Sequence, residues 1–449
     1  MTVEKRAPAG ARGRRMARVA FAAAVVAVSL SGCVVRLSRS DDEPLDNGGV
    51  SGAPADCSRG PAEDLGKPDG PAAPRVVGRS APGENGATRF QWSGTELRAS
   101  FQGTGIKMKL KIPVVYDLVR QQECPPEAIQ ADPKVADCNE DVPTPTRCCT
   151  PLESVPFVVT VDDAPPRTLR VSSTQLEYEL ATNLDPGRTH DVVVHRSIEA
   201  SAGVFELRGF ELLGAGARFV PPTVRARRIE VIGDSISCGY GILGSNASCR
   251  FSYDSQDHYE TYGAKTARAL GAELTTIAWS GRGVFRNNTD ERTGVLGDFY
   301  DRALPILGQP TDEGAPLWDF AKAPKPQVVV VNIGTNDFFL GVPDAGPFEE
   351  AYVKLLERVR KNYPDAHIFC AIPPMLSDAP ADTPRTVLRD ILGRVVGRFT
   401  GKGDLRVYTM EFLDQGVRRG LGCDFHPNLT THQLMADQLT GAIRSKLCW

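Results

Sequence analysis

Between residues 75 and 220 the apolar positions recur every second residue. Ile106, Met108, Leu110 and Ile112 alternate with Lys107, Lys109 and Lys111, the pattern of a strand with one face in a core and the other in water. Apolar runs of the same kind follow at 157–161, 169–171, 192–194 and 203–213. Turn formers such as Asp162-Asp163 and Asp185-Pro186-Gly187 separate them. Many short strands at this spacing predict an antiparallel β-sandwich of the jelly-roll kind over residues 75–222. No residue of it looks catalytic.

After residue 225 the rhythm changes. Short apolar runs at 229–232, 274–278, 328–333, 367–372 and 405–409 are separated by segments that include helical patterns, clearest at 261–270, 348–363, 386–399 and 431–447. Strands alternating with helices imply crossover connections and a parallel sheet covered on both faces. The expected fold class is therefore α/β, three-layered and flavodoxin-like over residues 223–449, preceded by the sandwich. In such sheets ligands sit beyond the carboxyl ends of the strands, so the residues that follow each run are where chemistry is sought.

Four stretches stand out there. Gly233-Asp234-Ser235-Ile236-Ser237-Cys238-Gly239 follows the first run, Ser280-Gly281-Arg282-Gly283 the second, and Gly334-Thr335-Asn336-Asp337 the third. Gly422-Cys423-Asp424-Phe425-His426-Pro427 precedes the last helix. Serine acyl transfer needs a hydroxyl, a base to take its proton, a group to orient the base, and donors for the oxyanion. Each stretch alone is an ordinary turn; their order and their placement after separate strands are not.

The set resembles the SGNH, or GDSL-like, hydrolase superfamily, named for Ser, Gly, Asn and His in that chain order. The closer likeness is to carbohydrate esterase family two, in which a jelly roll precedes an SGNH domain. It is carried by GDSISCGYG at 233–241, TYGAKTARALGAE at 261–273, AWSGRGVFRN at 278–287, WDF at 318–320 and NIGTNDF at 332–338. The resemblance implies that Ser235 is the nucleophile and His426 its base, and that the Ser235 amide, Gly281 and Asn336 form the oxyanion hole. It implies removal of acetyl groups from xylan, glucomannan or a related glycan, so that the partner is an acetylated polysaccharide or oligosaccharide. No cofactor and no metal enter such a mechanism. Trp279, beside Gly281, is a candidate for stacking on a sugar ring or an aromatic buried at the end of a strand. Asp234 and Asp337 read as turn and network residues.

One departure from the superfamily pattern concerns the acid, usually found three residues before the histidine. Cys423 holds that position here, and Asp424 lies two before His426. Asp424 is the favoured acid; the other arrangement has a backbone carbonyl orienting His426 and a Ser–His dyad.

The N-terminus adds a location. Arg12, Arg14, Arg15 and Arg18 precede an apolar run at 19–30, too short to span a bilayer, and Leu30-Ser31-Gly32-Cys33 resembles the lipobox of bacterial lipoproteins. Residues 1–32 are then an export signal and Cys33 the lipidated residue, placing the protein in the cell envelope with a membrane as partner. The stretch 33–74, rich in Gly, Pro, Ser, Asp and Ala, reads as a flexible tether. Leaving Cys33 aside, ten of the 11 cysteines remain, an even number that in an exported chain favours disulfides. Four of them lie in a Pro- and Asp-rich insertion at about 115–152; no metal-ligand spacing is present.

Charge excludes one class of partner. The formal net charge of −3 includes six Lys/Arg and one Glu in residues 1–32, so the remainder carries −8, without the clustered positive charge that nucleic acid requires. Two other readings remain open on the sequence. One is a thioesterase or lysophospholipase of the same superfamily; the other is a non-catalytic glycan-binding lipoprotein.

Overall fold

The computed structural model describes residues 49–53, 66–120, 147–305, 315–380 and 382–449. The expected export signal, Cys33, and Cys57, Cys124 and Cys138 lie outside the described residues.

The alternating segments form two antiparallel sheets. One has the strand order 167–171, 155–161, 190–196, 96–102, 218–220, with Arg75–Val77 also on the strand Glu96–Gln102; the other runs 177–181, 105–111, 205–213, 88–90, 80–82. Their inner faces share one core in which Phe90, Phe101, Met108, Phe157 and Phe205 are fully buried. The lysines at 107 and 109 fall on the opposite face, where Lys109 pairs with Glu211 at 3.0 Å. An antiparallel pair, Tyr116–Arg120 with Arg147–Pro151, carries the Cys-rich insertion.

The second half builds a parallel sheet from β1 (Arg228–Gly233), β2 (Glu273–Ala278), β3 (Val328–Asn332), β4 (His367–Ile372) and β5 (Val407–Glu411), in the order β2-β1-β3-β4-β5. Among its helices are α1 (Ser235–Cys238), α2 (Tyr262–Ala269), α3 (Ala345–Asn362), α4 (Pro384–Thr400) and α5 (Leu429–Leu447). The strands are largely apolar because helices bury both faces of the sheet, Glu230 on β1 and Glu273 on β2 being buried exceptions. The cluster on one face holds Val329, Val331, Leu356 and Leu392, and that on the other holds Val328, Val330, Leu439 and Ile443.

Sandwich and α/β layer share buried contacts. Trp92 and Ala200 of the sandwich belong to the larger core of the α/β layer. Arg79, also from the sandwich, is wholly buried: its guanidinium reaches Glu230 on β1 at 3.3 Å and lies 5.0 Å from the ring centres of Tyr300 and Phe320. A charge at that depth persists only when paired.

Two expectations are corrected. Part of the stretch expected to be a tether is held on the fold: Ser51 N–H donates to the Thr409 carbonyl at 3.0 Å, Lys446 Nζ donates to the Gly52 and Ala53 carbonyls, and Lys67–Pro68 pairs with Thr223–Val224. Backbone hydrogen bonds need no apolar side chains, which is why composition did not reveal them. The cysteines are not all in disulfides either. Cys249 is bonded to Cys423 and Cys448 is also bonded, but Cys238 and Cys370 are buried free thiols, packed as small apolar residues.

Candidate active site

The site begins at the carboxyl end of β1. Gly233 lies opposite Ala278 of β2 on one side and Asn332 of β3 on the other, so the chain leaves three adjacent strands at one level. Ser235, the loop 279–283 and the loop 334–337 are the first residues beyond that edge. Asp234 caps α1 by accepting the Ile236 N–H at 3.1 Å, and Ser235 opens the helix. The close approach explains Gly233: a Cβ there would stand 2.1 Å from Ser237 Oγ.

Ser235 Oγ lies 2.8 Å from His426 Nε2, and His426 Nδ1 lies 3.0 Å from the backbone carbonyl of Asp424. A carbonyl only accepts, so Nδ1 carries the hydrogen and Nε2 is left free to take the serine proton. The structure therefore brings Ser235 and His426 together and does not bring the Asp424 carboxylate to the imidazole. That carboxylate turns away, its Oδ2 accepting from Tyr240 OH at 2.9 Å and Phe251 N–H at 3.0 Å. The expected triad is corrected to a dyad oriented by a main-chain oxygen.

The reason is local backbone geometry. Asp424 and Phe425 both have positive φ, 50° and 62°, conformations that cost non-glycine residues energy unless their surroundings fix them. The fixing groups are the Cys249–Cys423 disulfide, the Asp424 N–H on the Cys249 carbonyl at 2.8 Å, and the Cys423 N–H on the Gly241 carbonyl at 3.0 Å. Tyr240 packs its ring 4.2 Å from the imidazole. The cysteine at the position usual for the acid thus anchors the turn that presents the carbonyl.

Asp424→Asn keeps that carbonyl. We expect it to lower kcat by about tenfold or less, against roughly 10⁴ where a carboxylate orients the base. Steady-state kinetics with a thermal melt checks this, and a loss near 10⁴ in a folded protein would restore the triad.

Burial brings the His426 imidazole down to about 4, the Asp424 carbonyl opposing this only in part. The neutral ring is the form able to take a proton, so activity is lost only as pH falls through that value. The expected profile of kcat/KM for an uncharged acetyl ester is flat from about pH 7 to 5 and half-maximal near 4. An inflection at the ordinary histidine value would contradict it.

The two flanking loops are tied to each other. Asp337 accepts three backbone N–H groups, from Val284 at 3.0 Å, Phe285 at 2.8 Å and Arg286 at 2.9 Å. Burial still pushes its carboxyl up to about 6, and that of Asp234 to about 7. Both are network residues, as read from the sequence. Asn336 Nδ2 donates one hydrogen to the Arg282 carbonyl at 2.9 Å, which fixes its amide and leaves a second hydrogen. Gly281 has φ +79°, a region glycine enters without strain, and its carbonyl takes the Asn288 N–H at 3.0 Å.

Trp279 is half-buried against the core of the α/β layer. Its ring packs on Phe299 at 5.1 Å and under the Arg282 guanidinium at 5.0 Å. An aromatic that does face solvent is Phe425, 63% exposed and adjacent to His426, which the sequence reading passed over. Tyr240, Phe251 and Cys249 were missed too; the cysteine at 423 was the available signal. Among the described residues, no group of three or more His, Cys, Asp or Glu could hold a metal ion, and no helix is long and apolar enough to cross a membrane.

Residues 231–434 match the model of the GDSL-like lipase/acylhydrolase family. Cellulase/esterase CelE of Acetivibrio thermocellus is 40% identical over 293 residues, which is 65% of this chain but only 34% of that protein. An acetylxylan esterase/glucomannan deacetylase of Cellvibrio japonicus is 29% identical over 65% of this chain and 76% of its own length. A solved family two carbohydrate esterase from Clostridium thermocellum, in complex with cellohexaose, superposes with a TM-score of 0.67 at 32% identity, covering 83% of this chain and 98% of that one. With that coverage and identity added to the Ser–His geometry, the chain belongs to the family two carbohydrate esterases and carries a GDSL-like hydrolase domain.

Proposed function

We propose that this protein is a serine esterase that releases acetate from O-acetylated carbohydrate, with Ser235 as nucleophile and His426 as general base. The observation that carries the reading is the 2.8 Å contact between Ser235 Oγ and a His426 imidazole whose other nitrogen is already occupied. Ser235 Oγ attacks the acetyl carbonyl carbon as Nε2 takes its proton. The oxyanion is met by the Ser235 and Gly281 amides and by Asn336 Nδ2. The imidazolium then protonates the departing sugar oxygen, leaving acetyl-Ser235. Water, deprotonated by His426, attacks the acyl carbon, and acetate leaves as the proton returns to Ser235.

The sugar leaving group is supported by the relatives, whose names give acetylxylan and glucomannan as what they act on and cellohexaose as what one binds. The exposed Phe425 ring beside the base offers a flat apolar face to a pyranose. The test is acetate release from acetylated xylan, glucomannan and cello-oligosaccharides, with long-chain acyl esters in parallel. Faster turnover of the long-chain esters would move the protein to the lipid hydrolases of the superfamily; glycan binding without turnover would make it a binding lipoprotein.

We further propose that the chain is exported and held at the cell envelope through a lipid on Cys33. The arginines before the apolar run at 19–30 and the sequence Leu30-Ser31-Gly32-Cys33 support this. Cys33→Ala should abolish incorporation of labelled fatty acid, and label retained in that variant would reject the anchor.

A further inference from the structure

The sandwich reaches the site through one side chain. Glu199 follows the strand His190–Arg196, is 4% exposed, and accepts the Ser280 N–H on Oε2 at 3.1 Å. Ser280 immediately precedes Gly281. Glu199 is itself held on two sides: its N–H donates to Gln256 Oε1 at 3.2 Å, and its carbonyl accepts Arg196 Nη2 at 2.8 Å. Gln256 Nε2 continues to the Cys238 carbonyl at the end of α1 at 3.2 Å. One segment of the sandwich therefore braces the helix that begins with Ser235 and the loop that holds Gly281.

We infer that Glu199 is a positioning residue for the oxyanion hole, contributed by the sandwich to the hydrolase site. The inference rests on the role proposed above for the Gly281 amide. Glycine at φ +79° meets no steric penalty there, but nothing in its own side chain confines it to that basin. The Ser280–Gly281 peptide is confined from outside. Glu199 holds the N–H of Ser280, and Asn288 holds the carbonyl of Gly281. With both flanking peptides held, the Gly281 N–H can turn only by a flip of the one peptide plane between them. Donors fixed in advance are what make an oxyanion hole effective, since no reorganisation is then needed as charge develops. Burial pushes the Glu199 carboxyl up, the hydrogen bond from Ser280 opposing this.

Removing the anchor leaves the Gly281 donor in place but loose. The expected loss for Glu199→Ala is about 10- to 100-fold in kcat, less than for deleting a donor outright, with KM changed by less than about threefold. Glu199→Asp withdraws the acceptor by one methylene and should lose comparably. Glu199→Gln keeps an acceptor oxygen of the same reach and should stay within about fivefold of wild type in kcat. Hydrogen exchange needs no substrate: the amides of 278–283 should exchange faster in the Ala and Asp variants than in wild type or Gln. Unchanged exchange at 278–283 in the Ala variant, unchanged kcat there, or equal losses in Gln and Ala would each overturn the inference. If Glu199→Ala fails to fold, the Asp and Gln pair decides. A wild-type protein that releases no acetate would sink the esterase reading, while the exchange measurement still decides whether Glu199 holds the loop.

Discussion

Replacing Ser235 or His426 by alanine should lower kcat for acetyl ester hydrolysis by about 10⁶ in a protein that remains folded, because the two act as one unit. The serine hydroxyl is a poor nucleophile at neutral pH until a base accepts its proton, and among the described residues the base that meets it is His426 Nε2 at 2.8 Å. Neither change opens a large cavity. Ser235 is 5% exposed on a four-residue helix, and His426 lies on a loop held by the Cys249–Cys423 disulfide and by main-chain hydrogen bonds. Acetate release with an unchanged thermal midpoint is the measurement. The double variant should be no worse than either single one, since the second change removes a group that has lost its partner. A further large drop in the double variant, or near-wild-type turnover in either single variant, would reject the dyad.

Asn336→Ala should lower kcat by about 10² to 10³ while changing KM little, the loss typical of a missing oxyanion donor. The side-chain amide is fixed before substrate arrives, one hydrogen being committed to the Arg282 carbonyl at 2.9 Å. The loops it joins are locked by Asp337. The variant also leaves the Arg282 carbonyl without that donor, so a modest fall in stability accompanies it, on the order of 1 to 3 kcal/mol. A rise in KM with kcat unchanged would assign Asn336 to ground-state binding instead.

Periodicity made the architecture legible. The two-residue repeat of 106–112 marks a half-buried strand, and continuous runs such as Val328–Asn332 mark strands buried on both faces. Both are consequences of which side of the backbone meets water. The order of Ser235, Gly281, Asn336 and His426 was legible too, because a parallel sheet delivers the residues after successive strands to one edge. Charge and cysteine number bounded the partners and the compartment expected of the chain, but not the individual bonds.

The tertiary structure alone decided what orients His426 and what steadies Gly281. Spacing put Asp424 near the histidine, but the side of the turn that faces the imidazole depends on two positive φ angles at Asp424 and Phe425. Those angles are imposed by Cys249 and Gly241, far from His426 in the sequence. How far the ring of Trp279 is covered likewise turned on Phe299 and Arg282, which pack on it. Glu199 lies 81 residues before the amide it holds, in a domain whose own pattern carried no catalytic sign. Side-chain periodicity reports which face of an element is buried. It does not report which main-chain oxygen or distant carboxylate meets a given N–H, because that is fixed only when separate elements pack.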